Sequence, residues 1–198
     1  MAHDNGSLFA NPGPAGLMVL AFYLGCLWPV ATHQVPHEVG MVLIALGFAG
    51  AITQVICGVI ALHKGEILNG NILMAFSAFM WLGCIEWLLK ALQIIPPDTS
   101  GVDGWIFLIM GIFMVIFTHP HLAAPKVAFW FMVFTDLFFV PAGLFFITKI
   151  PIFWLIAGWD LPLVVLSIIW LAGGTVVNGF WGRQVIPLGK PYVPLQKA

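Results

Sequence analysis

The sequence predicts an all-α membrane protein with six transmembrane helices, and three observations predict it. Hydrophobic residues make up 61% of the 198-residue chain and charged residues 8%, whereas a soluble domain carries about 25% charged residues. Mean hydropathy is +1.04, so a soluble body of this size would have to face water with Leu, Phe and Trp. The apolar residues also fall into six runs of roughly 20 residues, the length that crosses a ~30 Å hydrocarbon core.

The runs lie at about 14–33, 39–63, 70–95, 104–120, 125–148 and 153–178. Turn chemistry separates them: Pro36, Lys64-Gly65-Glu66, Pro96-Pro97-Asp98, His119-Pro120 and Ile150-Pro151. The connections are short, so residues 1–198 read as a single transmembrane domain. The opening MAHDNGSLFANPGPAG carries no Lys or Arg and no cleavage pattern, and reads as mature chain rather than a signal peptide. An even number of spans puts both termini on one side. Cytoplasmic termini place Lys64, Lys126, Arg183, Lys190 and Lys197 inside and only Lys90 and Lys149 outside, the distribution that the positive-inside rule favours. With seven Lys and Arg and a net charge of −1, no nucleic-acid footprint exists. Cys26, Cys57 and Cys84 sit inside apolar runs without metal-ligand spacing and read as small hydrophobes.

Polar groups inside the runs carry the functional signal, because an unpaired one is costly in lipid. Gly50, Gln54 and Gly58 share a face of span 2, and Gly174, Asn178 and Gly182 repeat the pattern in span 6. Two readings stand: close helix packing with the amide bonding across, or a polar vestibule near the cytoplasmic side. Asn11-Pro12-Gly13-Pro14 enters span 1 as a turn, with Pro14 suited to a first helical turn. It is either a plain helix start or a half-buried N-terminus open to a carboxylate. Glu86 and Lys90, four apart, read as a neutralising pair near the outer end. Asp160 reads as an interfacial acid in reach of water. Asp136 falls near the centre of span 5 and must face protein or water, either as a satisfied structural acid or as a proton-coupling candidate. Phe76, Phe79 and Met80 share one face of span 3, and Phe131, Phe134 and Phe138 one face of span 5, as packing or lipid-facing stripes. Trp28, Trp105, Trp154, Trp159 and Trp181 near span ends read as interface anchors.

Enzyme signatures are missing: no His-Glu-x-x-His, no Gly-x-Ser-x-Gly and no phosphate-cradling loop. His119-Pro120-His121 is too little for a metal site. No catalytic residue, metal or cofactor is expected.

The motifs resemble a known family. Asn11-Pro12-Gly13-Pro14-Ala15-Gly16-Leu17-Met18 is similar to the N-P-A-P-L-G-L-x signature of the acetate uptake transporter family, the succinate–acetate permease group. Gly50-Ala51-Ile52-Thr53-Gln54 with Gly58 resembles its G-G-x-x-Q-x-x-x-G stretch. Ala157-Gly158-Trp159 opens span 6 as in the family, and Asn178 with Gly182-Arg183-Gln184-Val185-Ile186-Pro187-Leu188-Gly189 resembles its ending. The resemblance runs through residues 10–190 in order. It implies six helices per protomer, cytoplasmic termini, a ring-shaped homo-hexamer in a prokaryotic plasma membrane and one pathway in each protomer for acetate and, in some members, succinate.

Carried over position by position, the resemblance implies a constriction of Leu20, Phe76 and Phe134, with Asn11, Pro12, Gly13, Gln54 and Asn178 as substrate-binding candidates. The chain departs from the family pattern at several points. Leu20 stands where Phe is common, Phe76 where Tyr is common, and Asp136 where apolar residues are usual. Thr175 stands where an acid can occur, and Gly13 and Ala15 alter the signature. Without Lys or Arg at depth to hold a full negative charge, a dry constriction favours passage as the neutral acid or with a proton. The rival readings are an anion channel without proton coupling and a non-transporting receptor or assembly protein. An intramembrane enzyme using Asp136, Glu86 or the His119/His121 pair has no recognised spacing behind it.

Overall fold

The computed structural model describes residues 9–194. The start of the opening segment read as mature chain, and Lys197 of the charge comparison, lie outside the described residues. Six helices follow one another: α1 Gly13–Ala31, α2 Val42–His63, α3 Ile67–Ala91, α4 Ser100–Thr118, α5 Lys126–Thr148 and α6 Pro151–Trp181. All six are long and apolar enough to cross a membrane, and among the described residues there is no strand.

The ends of the helices follow local chemistry. Residues 37–41, partly inside the expected second run, form a 3-10 turn ahead of α2. The fourth run starts earlier than its hydropathy suggests, at Ser100, because Asp98 accepts a hydrogen bond from the Ser100 backbone N–H at 3.0 Å and turns the chain into the helix. It stops at Thr118, and His119–Ala123 continues as a 3-10 turn, in which Pro120 has no N–H to give to the α ladder. α6 runs on to Trp181 and ends where Gly182 takes a φ of 60°, the left-handed cap for which glycine is suited.

Going round the bundle, α1 packs between α2 and α6, α2 against α3, and α5 between α4 and α6. The hairpins close up through small residues. A side chain on Gly143 would meet the Leu108 backbone at 2.7 Å, so α4 and α5 touch through their main chains there. Gly50 and Gly58 likewise receive Met80 and Met74 from α3. The seam between α3 and the α4–α5 hairpin is different: Phe rings fill it. Phe79 lies edge-on to Phe107 and to Phe139, with centroids 4.9 Å away in each case, and Phe76 lies 6.0 Å from Phe139. Phe76, Phe79 and Met80 on α3 and Phe131 and Phe138 on α5 therefore pack inward rather than face lipid.

Outward faces stay apolar. Phe180 is 81% exposed, Ile67 72% and Leu166 62%. Water does not tolerate such a surface over a whole bundle, and a bilayer does. The chain is a multi-pass membrane protein.

Candidate functional site

Both ends of the described chain, the α2–α3 turn and the α4–α5 connection lie at one end of the bundle. A cavity of about 210 Å³ opens among them. Asn11 lines it from just ahead of α1, Gly13, Pro14 and Leu17 from α1, Asn69, Ile72 and Leu73 from α3, and Leu171 and Thr175 from α6. The α4–α5 connection and α5 contribute His121, Ala124, Pro125, Ala128 and Phe131, and Leu188 closes the wall from the C-terminal segment. The mouth is polar and the depth is apolar. One helical turn beyond Leu17 and Leu73 stand Leu20 and Phe76, each 2% exposed, within the same buried cluster as Phe131, Phe139 and Ile168. The cavity thus ends on a dry floor.

The placement of the expected residues divides in two. Asn11 and Gly13 line the cavity, and Pro12 is buried just behind them with its carbonyl accepting the Ala15 and Gly16 N–H groups. The Asn11 side-chain oxygen accepts the Gly13 N–H at 2.9 Å, so the helix start is also an Asn turn. Gln54 and Asn178 do not line the cavity. Gln54 is fully buried and donates to the Gly16 carbonyl at 3.1 Å, tying α2 to α1, while its own oxygen has no partner. Asn178 accepts the N–H groups of Val185 and Ile186 at 2.7 and 2.8 Å and donates to the Ile186 carbonyl at 2.8 Å. Its amide holds the C-terminal segment against Gly174, where Leu188 and Ile186 pack. Of the two readings for these amides, the hydrogen bonds are those of close packing, since a neighbouring backbone meets each of them.

Phe134 does not join the fully buried floor. It is half-buried and leans on Trp130 at 5.9 Å, and the α5 ring that meets Phe76 is Phe139. The buried face of α5 follows 128, 131, 135, 138, 139 and 142, with 134 at its margin. The Phe138-Phe139 pair, both 2% exposed, was the available signal for this face.

Three acids occupy distinct settings. Glu86 pairs with Lys90 at 2.5 Å, as their spacing implies, and Lys90 also lies 3.8 Å from Asp103. Asp160, expected within reach of water, is instead 6% exposed, and one carboxylate oxygen has no hydrogen-bond partner. It sits about two and a half turns into α6, among buried residues such as Ala157, Leu161 and Val164. Asp136 is half-buried on the α4–α5 seam, with one oxygen 2.8 Å from the Thr118 hydroxyl and the other buried without a partner. The Thr118 hydroxyl is also 3.0 Å from the Met114 carbonyl. It has one hydrogen to give, so when it donates to Met114 the bond to Asp136 needs the acid's own proton.

His121 was passed over in the sequence because two histidines flanking a proline suggest little. The structure buries its ring to 6% exposure at the cavity wall and sets Nδ1 2.7 Å from the Phe117 carbonyl. Among the described residues no group of three His, Cys, Asp or Glu side chains could hold a metal ion.

No protein-family model matches the chain. Over 187 residues it is 28% identical to the succinate-acetate/proton symporter SatP of Escherichia coli K12, spanning 92% of this chain and 97% of that protein. The SatP of Shigella flexneri gives the same figures. Among solved structures the fold is similar to that of the bacterial acetate channel SatP, with a TM-score of 0.85 over 91% of this chain and 99% of that one, at 23% identity. Over nine-tenths of its length the chain is thus similar to proteins of the acetate uptake transporter family. Its named relatives in that family are transport proteins, not enzymes.

Proposed function

We propose that the chain carries acetate, and other short carboxylates such as succinate, across a prokaryotic plasma membrane by a path inside each protomer. Residues 1–198 then act as one transmembrane domain with both termini cytoplasmic, in a ring-shaped homo-hexamer. One observation carries the reading: a polar-mouthed cavity ends on a dry, side-chain floor in a chain alignable nearly end to end with a succinate-acetate/proton symporter. Asn11, Pro12 and Gly13 form the carboxylate side of the mouth at the positive end of the α1 dipole, with the Gly13, Ala15 and Gly16 N–H groups themselves bonded to Asn11 and Pro12. Gln54 and Asn178 hold that mouth in shape. Leu20 and Phe76 form the narrow point, Phe139 faces Phe76, and Phe134 stands at the rim.

Passage as the neutral acid, or with a proton, lowers the desolvation barrier at such a floor. Asp136, on its own seam with Thr118, is the candidate for a proton held outside the path. Labelled acetate uptake into proteoliposomes across a pH gradient tests this. Uptake driven by the gradient and abolished by a protonophore is the expected result. Gradient-independent flux with an electrical signature would instead support an acetate anion channel, the reading favoured by the likeness to a protein described as a channel. Acetate binding without any flux would leave a receptor or assembly protein.

A further inference from the structure

Among the described residues the cavity has one titratable group on its wall, His121, and its hydrogen bonding settles which nitrogen is left for a ligand. A carbonyl oxygen only accepts, so at 2.7 Å from the Phe117 carbonyl Nδ1 must carry a hydrogen in every protonation state. The neutral ring is therefore the Nδ1–H tautomer, and its Nε2 holds a lone pair. The ring is 6% exposed and the cavity is what it borders. The other polar residues on that wall, Asn11, Asn69 and Thr175, are neutral.

We propose that His121 Nε2 is the proton-exchange and carboxylate-docking group of this cavity, taking a short-chain carboxylic acid as its ligand; this rests on the transport reading above. The step is an acid–base exchange. A neutral acid in the cavity breaks its O–H bond, the proton forms the Nε2–H bond, and the carboxylate stays beside the imidazolium. In reverse, the imidazolium returns the proton, and an uncharged acid faces the Leu20 and Phe76 floor. Nδ1–H stays on Phe117 throughout, so the ring need not turn.

Among the described residues the wall itself brings no other charge to this exchange. From the turn ahead of α1 the cavity presents Asn11, from α3 Asn69, from α6 Thr175, and from the C-terminal segment Leu188. At the same end Lys64 is paired with Glu66 at 3.3 Å, and Glu66 also accepts from Asn69. The Lys126 ammonium lies 4.8 Å over the Tyr192 ring. His119, Arg183 and Lys190 are exposed on the outside. Asp136 faces Thr118 on the α4–α5 seam and is not part of the wall.

The test is a nitrogen-15 titration of imidazole-labelled protein in nanodiscs, with His121 assigned by the signal missing from His121→Gln. The expected result is an Nδ1–H tautomer at high pH and a protonation midpoint that saturating acetate raises by about one pH unit, a tenfold preference for the ion pair. A midpoint moved by neither acetate nor succinate, or an Nε2–H tautomer, overturns the proposal. Flux is measured beside it, with the pH on the cavity side varied: His121→Gln loses the pH dependence shown by the wild type, and a retained wild-type profile also overturns it. A wild type that moves the His121 midpoint yet carries no acetate sinks the transport reading and leaves this site standing. A wild type that carries acetate with the midpoint unmoved does the opposite.

Discussion

The two ends of the bundle use their polar residues in opposite ways. At the end away from the termini, charges are committed to one another. Glu86, Lys90 and Asp103 gather around the Thr99 hydroxyl, which lies 2.5 and 2.7 Å from the two acids. Lys149 donates to Ser100 and reaches towards Asp98. The cleft there, between α1 and α6, is walled by Trp154, Trp159 and apolar side chains, with Thr32 and His33 from the end of α1. At the end with the termini, the Gln54 and Asn178 amides are committed to backbone, and among the described residues what remains on the cavity wall is neutral except for one imidazole. The lesson is that polarity marks a ligand site only where neighbouring residues have not already satisfied it.

The largest effect should come from the floor that the polar mouth leads to. Phe76→Ala removes a fully packed ring, costing about 3 kcal/mol on the scale of core truncations, and raises succinate uptake relative to acetate in proteoliposomes. An unchanged ratio would move the narrow point elsewhere. Next, Lys90→Ala leaves Glu86 and Asp103 facing each other without a cation. Their partial burial sets the cost at about 2 kcal/mol, below that of a fully buried orphan. Thermal unfolding in detergent should show it, and the dependence of acetate uptake on pH at the other end should not change.

Asn178→Ala is expected to cost about 1–2 kcal/mol, from hydrogen bonds to 185 and 186 lost in a half-exposed setting. Limited proteolysis should then cut between 183 and 194 sooner than in the wild type. The smallest effect belongs to Asp98. Hydrogen bonds from the Ser100 side chain and backbone, with Lys149 nearby, hold its carboxyl below the ordinary carboxylate range. Folding therefore favours its ionised form: the contribution is present above the ordinary range and fades as pH falls through the lowered value. The gap in melting temperature between wild type and Asp98→Asn should narrow on acidification. A gap that widens would reverse the sign.

The six helices are legible in the sequence because Pro, Gly and charge are confined to the joints between apolar runs. The Glu86–Lys90 pair is legible because four residues on a helix fix its geometry. What the sequence hides are meetings across distant segments. Nothing local says that Gly16 offers a carbonyl to Gln54, or that the 185–186 backbone folds back onto Asn178. Nor does it show that His121 shares a wall with Asn11, Asn69 and Thr175. Asp160 misleads for a related reason: the flanking Trp159 and Pro162 look interfacial, yet α6 begins early enough, at Pro151, to carry the acid inward. On α5, a three-residue step from Phe131 to Phe134 looks as good as the steps to Phe138 and Phe139 until the neighbouring helices choose a side.

The C-terminal segment has a practical consequence. Besides the Asn178 clamp, the Trp170 indole donates to the Pro187 carbonyl at 2.9 Å, and the Tyr192 and Val193 N–H groups donate to the Leu122 carbonyl. The tail is thus a drawstring threaded from α6 to the α4–α5 connection, with Leu188 knotted into the cavity wall. A fusion partner or surface tether attached after residue 198 pulls on that string, so an affinity handle is better placed where no part of the entrance hangs from it.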